Sequence, residues 1–244
     1  WEDDDDDEFD DDDEFDDDEF DQKRRSDRVL EEEGLEKKGQ QWNQKILDAI
    51  TEGTALVVLP HVHWMYGVVF QLELIAAKCR ECGALLAVDG SQSIGALPLD
   101  LETVRPDALI VAAYKWMLGP YSISFGYFGS FFDDGVPLEE TWMNRVNSGN
   151  FRSLMQHTPE YRPLAQRYNM GEFSEFIHAP MLEASVDHLI ACGGAGPISE
   201  YIKKLSDDAV QRMRELGIVF VDDAYRSRHL LGAQLPADCG LNAA

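Results

Sequence analysis

A lysine and an aspartate each stand where an apolar run ends, and both side chains can do chemistry there. Lys115 lies in Ala112-Ala113-Tyr114-Lys115-Trp116-Met117. An apolar, aromatic setting penalises the ammonium form and frees the neutral amine. A neutral amine is what a Schiff base with an aldehyde requires. The competing reading is a snorkelling lysine whose head reaches water. Asp89 closes the run Ala84-Leu85-Leu86-Ala87-Val88 and precedes Gly90-Ser91-Gln92-Ser93. Alone, an acid in that place caps the following turn. Taken with Lys115 it suggests more. A carboxylate can keep a pyridine nitrogen protonated while a lysine holds the aldehyde carbon of the same ring, the pairing on which pyridoxal phosphate chemistry rests.

Other reactive types point less far. His61-Val62-His63 follows a short apolar run and matches the first ligand pair of a metal-dependent hydrolase. The remaining histidines (His157, His178, His188 and His229) do not fall at strand ends, so no metal site is expected. One of the first two histidines is expected to line the cofactor cleft and the other to face solvent. Cys79-x-x-Cys82 lies late in a helical pattern without a second ligand pair, which reads as helix packing. Cys239 lacks a histidine-rich context, which argues against a sulfur-transfer nucleophile. Gly193-Gly194-Ala195-Gly196-Pro197 follows a helix and contains proline, so it reads as a helix stop and start.

These residues need elements to hold them. Trp42, Ile46, Leu47 and Ile50 fall at helical spacing, and Phe70 to Cys82 reads as an amphipathic helix stopped by Gly83. Three short apolar runs read as buried strands: Thr54 to Leu59, Ala84 to Val88, and Ala108 to Ala113. Ile123 to Phe128 reads as a fourth, in a hairpin with the third. Strands alternating with helices predict an α/β fold with a mostly parallel sheet covered on both faces. Ligands of such sheets lie beyond the carboxyl ends of the strands, which selects His61 and His63, Asp89, and Lys115. Trp142 to Phe173 reads as loop, Met181–Cys192 and Ile198–Leu216 as helices, and Gly217–Val221 as a strand of a second, smaller lobe.

Composition bounds the partners. The chain has 244 residues and a formal charge of −25, and residues 1–21 hold 17 acidic side chains and no basic one. Without that segment the charge is −8. Residues 1–21 therefore predict a disordered acidic tail, and residues 22–41 a linker, with an exposed helix as the alternative. So little basic surface argues against a nucleic-acid partner. The apolar stretch 108–132 is broken by Lys115, Gly119, Pro120, Gly126 and Gly129, so buried strands explain it better than a membrane span. Four cysteines at this length suggest a reducing, cytoplasmic compartment.

Two motifs together carry a resemblance. Val88-Asp89-Gly90-Ser91-Gln92-Ser93-Ile94-Gly95-Ala96, Asp107, and Tyr114-Lys115-Trp116-Met117-Leu118-Gly119-Pro120 resemble the cofactor-binding half of class V aminotransferase-fold enzymes. That group includes cysteine desulfurases, kynureninases and isopenicillin N epimerase-like proteins. Weaker similarity runs through Arg167 to Gly171 and the helix after Ala179. The resemblance implies the fold type I pyridoxal phosphate-dependent transferase architecture. A large cofactor-binding domain would span 42–180, and a partial small C-terminal domain would begin at 181. It implies pyridoxal 5′-phosphate as cofactor. Lys115 would form the internal aldimine and move the Cα proton. Asp89 would pair with the pyridine nitrogen, Gln92 with the ring hydroxyl, and Tyr114 with the phosphate. The activity implied is aminotransferase-, epimerase- or lyase-type chemistry on an amino acid or amine, in a homodimer for the complete family.

The resemblance also has gaps. The family's phosphate-cradling loop would fall where the acidic tail stands, and its carboxylate-binding arginine would fall beyond Ala244. Trp64 stands where many members carry asparagine or tyrosine, and Gly171 to Phe176 only loosely matches a loop that reaches the neighbouring subunit. The chain begins at Trp1, and the expectation is a fragment. The alternative reading is a catalytically incomplete remnant that acts as an acidic-tailed interaction protein.

Overall fold

The structure is a computed structural model that describes residues 34–153, 155–156, 158–169, 175–237 and 239. The expected acidic tail, the linker up to 33, His157 and the Gly171-to-Ser174 part of the expected loop lie outside the described residues.

Helix α1 (Leu35–Ala49) leads into β1 (Leu56–Pro60), α2 (Leu72–Cys82), β2 (Leu85–Asp89), the short α3 (Leu101–Val104), β3 (Ala108–Ala112) and β4 (Ser124–Phe128). After several short 3-10 turns come α4 (His178–Ala191), α5 (Ala195–Glu215), β5 (Val219–Phe220) and β6 (Ala233–Gln234). β1, β2 and β3 are parallel neighbours in that order, and β4 closes the sheet antiparallel to β3. The expected hairpin of the third and fourth strands is therefore present. β5 and β6 form a separate two-stranded pair, so the expected strand over 217–221 is only two residues long.

Local chemistry sets these boundaries. Apolar, β-branched runs make the strands, and each parallel strand stops at a residue that leaves the ladder or turns the chain: Pro60, Asp89, and Ala112 before Ala113-Tyr114. Asp107 locks the start of β3 to β2, its carboxylate accepting the Leu86 N–H at 2.8 Å. The Asp100 carboxylate accepts the N–H groups of Glu102 and Thr103, which caps α3. α1 begins at Leu35, so residues 35–41 of the expected linker are its first turns.

One sheet face holds the core. Leu59, Leu86, Val88, Leu109 and Val111 are buried there, and α2 brings Leu72, Ile75, Ala76 and Cys79 against them. The opposite face departs from the expectation of cover on both sides. By register it carries Leu56, Val58, Ala87, Asp89 and Ile110. Val58 is 69% exposed, Leu56 52% and Ile110 45%. Among the described residues no helix is long and apolar enough to cross a membrane.

Candidate active site

The residues selected from sequence occupy two turns at the carboxyl ends of β2 and β3. Asp89 is the last residue of β2, and Gln92 lies in the turn after it. Tyr114 and Lys115 lie in the turn after β3. Parallel pairing brings the two strand ends together, with Asp89 opposite Ile110.

Three contacts fasten the turn after β2 to β3 and to the turn that follows it. The Gly90 N–H donates to the Ile110 carbonyl at 2.9 Å, one step beyond the ladder. The Ser91 hydroxyl accepts the Ala112 N–H at 2.9 Å, while the Ser91 N–H donates to an Asp89 carboxylate oxygen at 2.8 Å. The Trp116 indole N–H donates to Gln92 Oε1 at 3.3 Å. Gly95 has a φ of +101°, and a Cβ there would overlap the Trp116 carbonyl. Only glycine allows that approach without strain.

The side chains are open to a ligand. Asp89 is exposed, and Gln92 and Lys115 are half-buried. Because Gln92 Oε1 faces the Trp116 donor, its amide N–H groups are the ones left to meet an acceptor. Lys115 Nζ stands 5.7 Å from the centre of the Tyr114 ring. That ring stacks on Tyr121, with centroids 4.5 Å apart and planes at 15°. The Lys115 turn closes on itself: Leu118 N–H reaches the Lys115 carbonyl at 3.0 Å, and Gly119 N–H the Ala113 carbonyl at 2.9 Å. α4 supports it from outside, Ser185 Oγ donating to the Leu118 carbonyl at 2.8 Å.

The residues present fit the pyridine cofactor suggested by the sequence. An open carboxylate, an amide donor and a half-buried primary amine sit on adjoining turns. They match a protonated ring nitrogen, a ring hydroxyl and an aldehyde respectively.

The two histidines differ in burial. His61 is buried, and its pKa is lowered to about 4, first by burial and then by His229. His63 is half-buried among rings, 5.0 Å from Trp42 and 5.2 Å from Tyr66, and its Nδ1 accepts the Met65 and Tyr66 N–H groups at 3.3 Å. Burial, and secondarily Lys38, lowers its pKa. Among the described residues, no group of three or more His, Cys, Asp or Glu side chains is placed to hold a metal ion. Cys79 is buried in α2, where burial first and Asp107 second raise its thiol pKa, and Cys82 approaches the Ile50 carbonyl at 3.8 Å.

Sequence reasoning missed Ser91, Gly95 and His229 as parts of this arrangement. Ser91 and Gly95 lie inside the motif already singled out and were legible there. His229 is 137 residues from Gln92 and touches it only through the fold.

Comparison with known proteins gives a family and a fold. The Aminotransferase class-V family model matches residues 23–233. An uncharacterized aminotransferase of Bacillus subtilis, YcbU, is 28% identical over 172 residues, which is 69% of this chain and 43% of the relative. A kynureninase of Pseudomonas fluorescens is 35% identical over 95 residues, 38% of this chain and 23% of the relative. The apo structure of a cysteine desulfurase from Thermococcus onnurineus NA1 superposes with a TM-score of 0.62 at 21% identity, covering 80% of this chain and 47% of that one. That likeness is one of fold. The chain thus spans less than half the length of each of these proteins.

Proposed function

This chain belongs to the class-V aminotransferase family, and from that premise we propose that it carries pyridoxal 5′-phosphate chemistry at the Cα of an amino acid or amine. The observation that supports the reading is the pair of fastened turns, which hold Asp89 and Gln92 beside Tyr114 and Lys115 at the carboxyl ends of β2 and β3. Enzymes of this family depend on that cofactor.

When bound, the cofactor supplies an electron sink for charge developing at Cα. The residues do the rest. The Asp89 carboxylate keeps the ring nitrogen protonated, the state in which the ring withdraws most strongly. Gln92 donates an amide N–H to the ring hydroxyl oxygen, and the Tyr114 hydroxyl donates to the phosphate. Lys115 would hold the cofactor through its aldehyde, and its amine would be the group that takes and returns the Cα proton. Aminotransferase-, epimerase- and lyase-type outcomes all begin from that proton transfer. The same reading takes 42–180 as the large domain and 181 onward as the start of the small one. It also takes a homodimer as the state of the complete protein and the cytoplasm as its compartment.

The test is an absorption spectrum with added pyridoxal phosphate, then borohydride reduction and peptide mapping. Label is expected on the peptide containing Lys115 and absent from Lys115→Ala. Asp89→Ala is expected to weaken cofactor binding about tenfold or more, the cost of a lost charge-assisted bond. Label scattered over surface lysines would overturn the assignment and favour an acidic-tailed interaction protein.

A further inference from the structure

His229 has no part in the roles above, yet its ring is packed into the junction of the two turns. Its Nε2 lies 2.6 Å from the Gln92 carbonyl oxygen. A carbonyl only accepts, so Nε2 carries the proton. The same ring meets Trp116 edge-on, with centroids 4.5 Å apart and planes at 77°. Trp116 in turn donates its indole N–H to Gln92 Oε1. One imidazole therefore touches both partners of the side-chain bond that links the turns. Burial lowers its pKa, which favours a neutral ring with a single proton on Nε2.

The backbone that presents His229 is anchored independently. The Ser227 N–H donates to the Gly67 carbonyl at 2.8 Å, and Arg226 pairs with Val68 in an antiparallel bridge. Arg226 also bonds Asp223 at 3.0 Å through Nε. Loss of the imidazole would leave these ties in place.

We infer that His229 is a positioning residue: it holds the Gln92 turn against Trp116 and so fixes the orientation of the Gln92 amide. Without its donor, the Gln92 carbonyl is left unpaired in a half-buried place, and the turn gains freedom to rotate. The consequence for cofactor binding rests on the proposed function, whereas the consequence for the turn does not.

Two measurements on the full chain separate these. The first is hydrogen exchange over residues 89–96, together with the Trp116 indole N–H resonance, assigned with Trp116→Phe. The second is the Kd for pyridoxal phosphate. In His229→Ala the resonance is expected to move and exchange over 89–96 to quicken about tenfold. The Kd is expected to rise about five- to tenfold, the worth of one hydrogen bond. His229→Gln, which keeps a donor at similar reach, is expected to recover most of both. His229→Phe keeps the ring packing without the donor and carries the comparison if the alanine variant does not fold. Unchanged exchange and an unchanged Trp116 resonance would overturn the inference. So would a loosened turn with an unchanged Kd, or no recovery with glutamine. A wild-type chain that binds no cofactor would instead overturn the proposed function, while the exchange measurement still decides for His229.

Discussion

His61 carries the largest histidine shift in the described chain, and its effect on stability has a definite sign. Its pKa is about 4 in the folded state against 6.5 for an unperturbed imidazole. Between those values the unfolded chain binds a proton that the folded chain does not, so stability falls as pH drops from 6.5 toward 4. The full loss is roughly 3 kcal/mol at 1.4 kcal/mol per unit. His63 and His229 are lowered too and act in the same sense. Asp223 acts in a separate window. Hydrogen bonds from Arg214 first, and then from Arg226, lower its pKa from 3.8 to about 2, so its contribution is lost only as pH falls through that lower range. Unfolding by urea at a series of pH values checks both. His61→Gln is expected to flatten the slope between pH 6.5 and 4 without abolishing it, and Asp223→Asn to change only the slope below 4. An unchanged upper slope in His61→Gln would mean that the buried ring is not the source. Lys115 and Asp89 were legible at this scale because each ends an apolar run. The burial of His61 was not, because it depends on chain that returns through residues 226–229.

At the scale of elements, the parallel strands were legible because each is a short apolar run with a stop beside it. The start of α1 read only as linker or exposed helix, since Leu35-Glu36-Lys37-Lys38-Gly39 shows little apolar spacing. Its buried side includes Lys38 and Gly39, and a Cβ on Gly39 would overlap Tyr225. The residue that suits this helix position is chosen by a partner far along the chain. Lys38 lies among rings, 5.0 Å from the centre of Trp42 and 4.8 Å from that of Tyr66, an arrangement no helical period announces. The two exit turns depend on a similar close approach, and Gly95 is where it can be broken. Gly95→Ala places a side chain at a φ of +101° and against the Trp116 carbonyl. A loss of about 1–3 kcal/mol is expected from the backbone strain alone. It would be read as a lower urea midpoint at unchanged slope. An unchanged midpoint would show that the turns are not fastened there. Gly126→Ala is a suitable contrast, since it has no positive φ and its nearest neighbours would be the Phe128 and Ile110 side chains rather than backbone.

For the whole molecule, the uncovered face of the sheet matters more than the net charge. Apolar side chains scattered over a surface are ordinary, but Leu56, Val58 and Ile110 share one face by register and are largely exposed together. This was not legible from the strands, whose continuous apolar runs read as buried on both sides. A strand's composition tells what it can bury, not whether anything arrives to cover it. The chain spans under half the length of the relatives named above, and among the described residues the face that carries Asp89 is the one with exposed apolar side chains. A native chain with such a face should bind the dye ANS, which reports accessible apolar surface. The double substitution Leu56→Lys and Val58→Lys places charges on the edge strand without touching the buried residues Leu59, Leu86 and Val88. It is expected to lower dye fluorescence at least about twofold while shifting stability by no more than about 0.5 kcal/mol per site, as at other exposed positions. Fluorescence unchanged by the double variant would move the accessible apolar surface elsewhere. The groove of about 820 Å³ lined by Phe131, Val136 and Leu138 is the place it would move to. A large fall in stability would mean instead that Leu56 and Val58 are covered in solution.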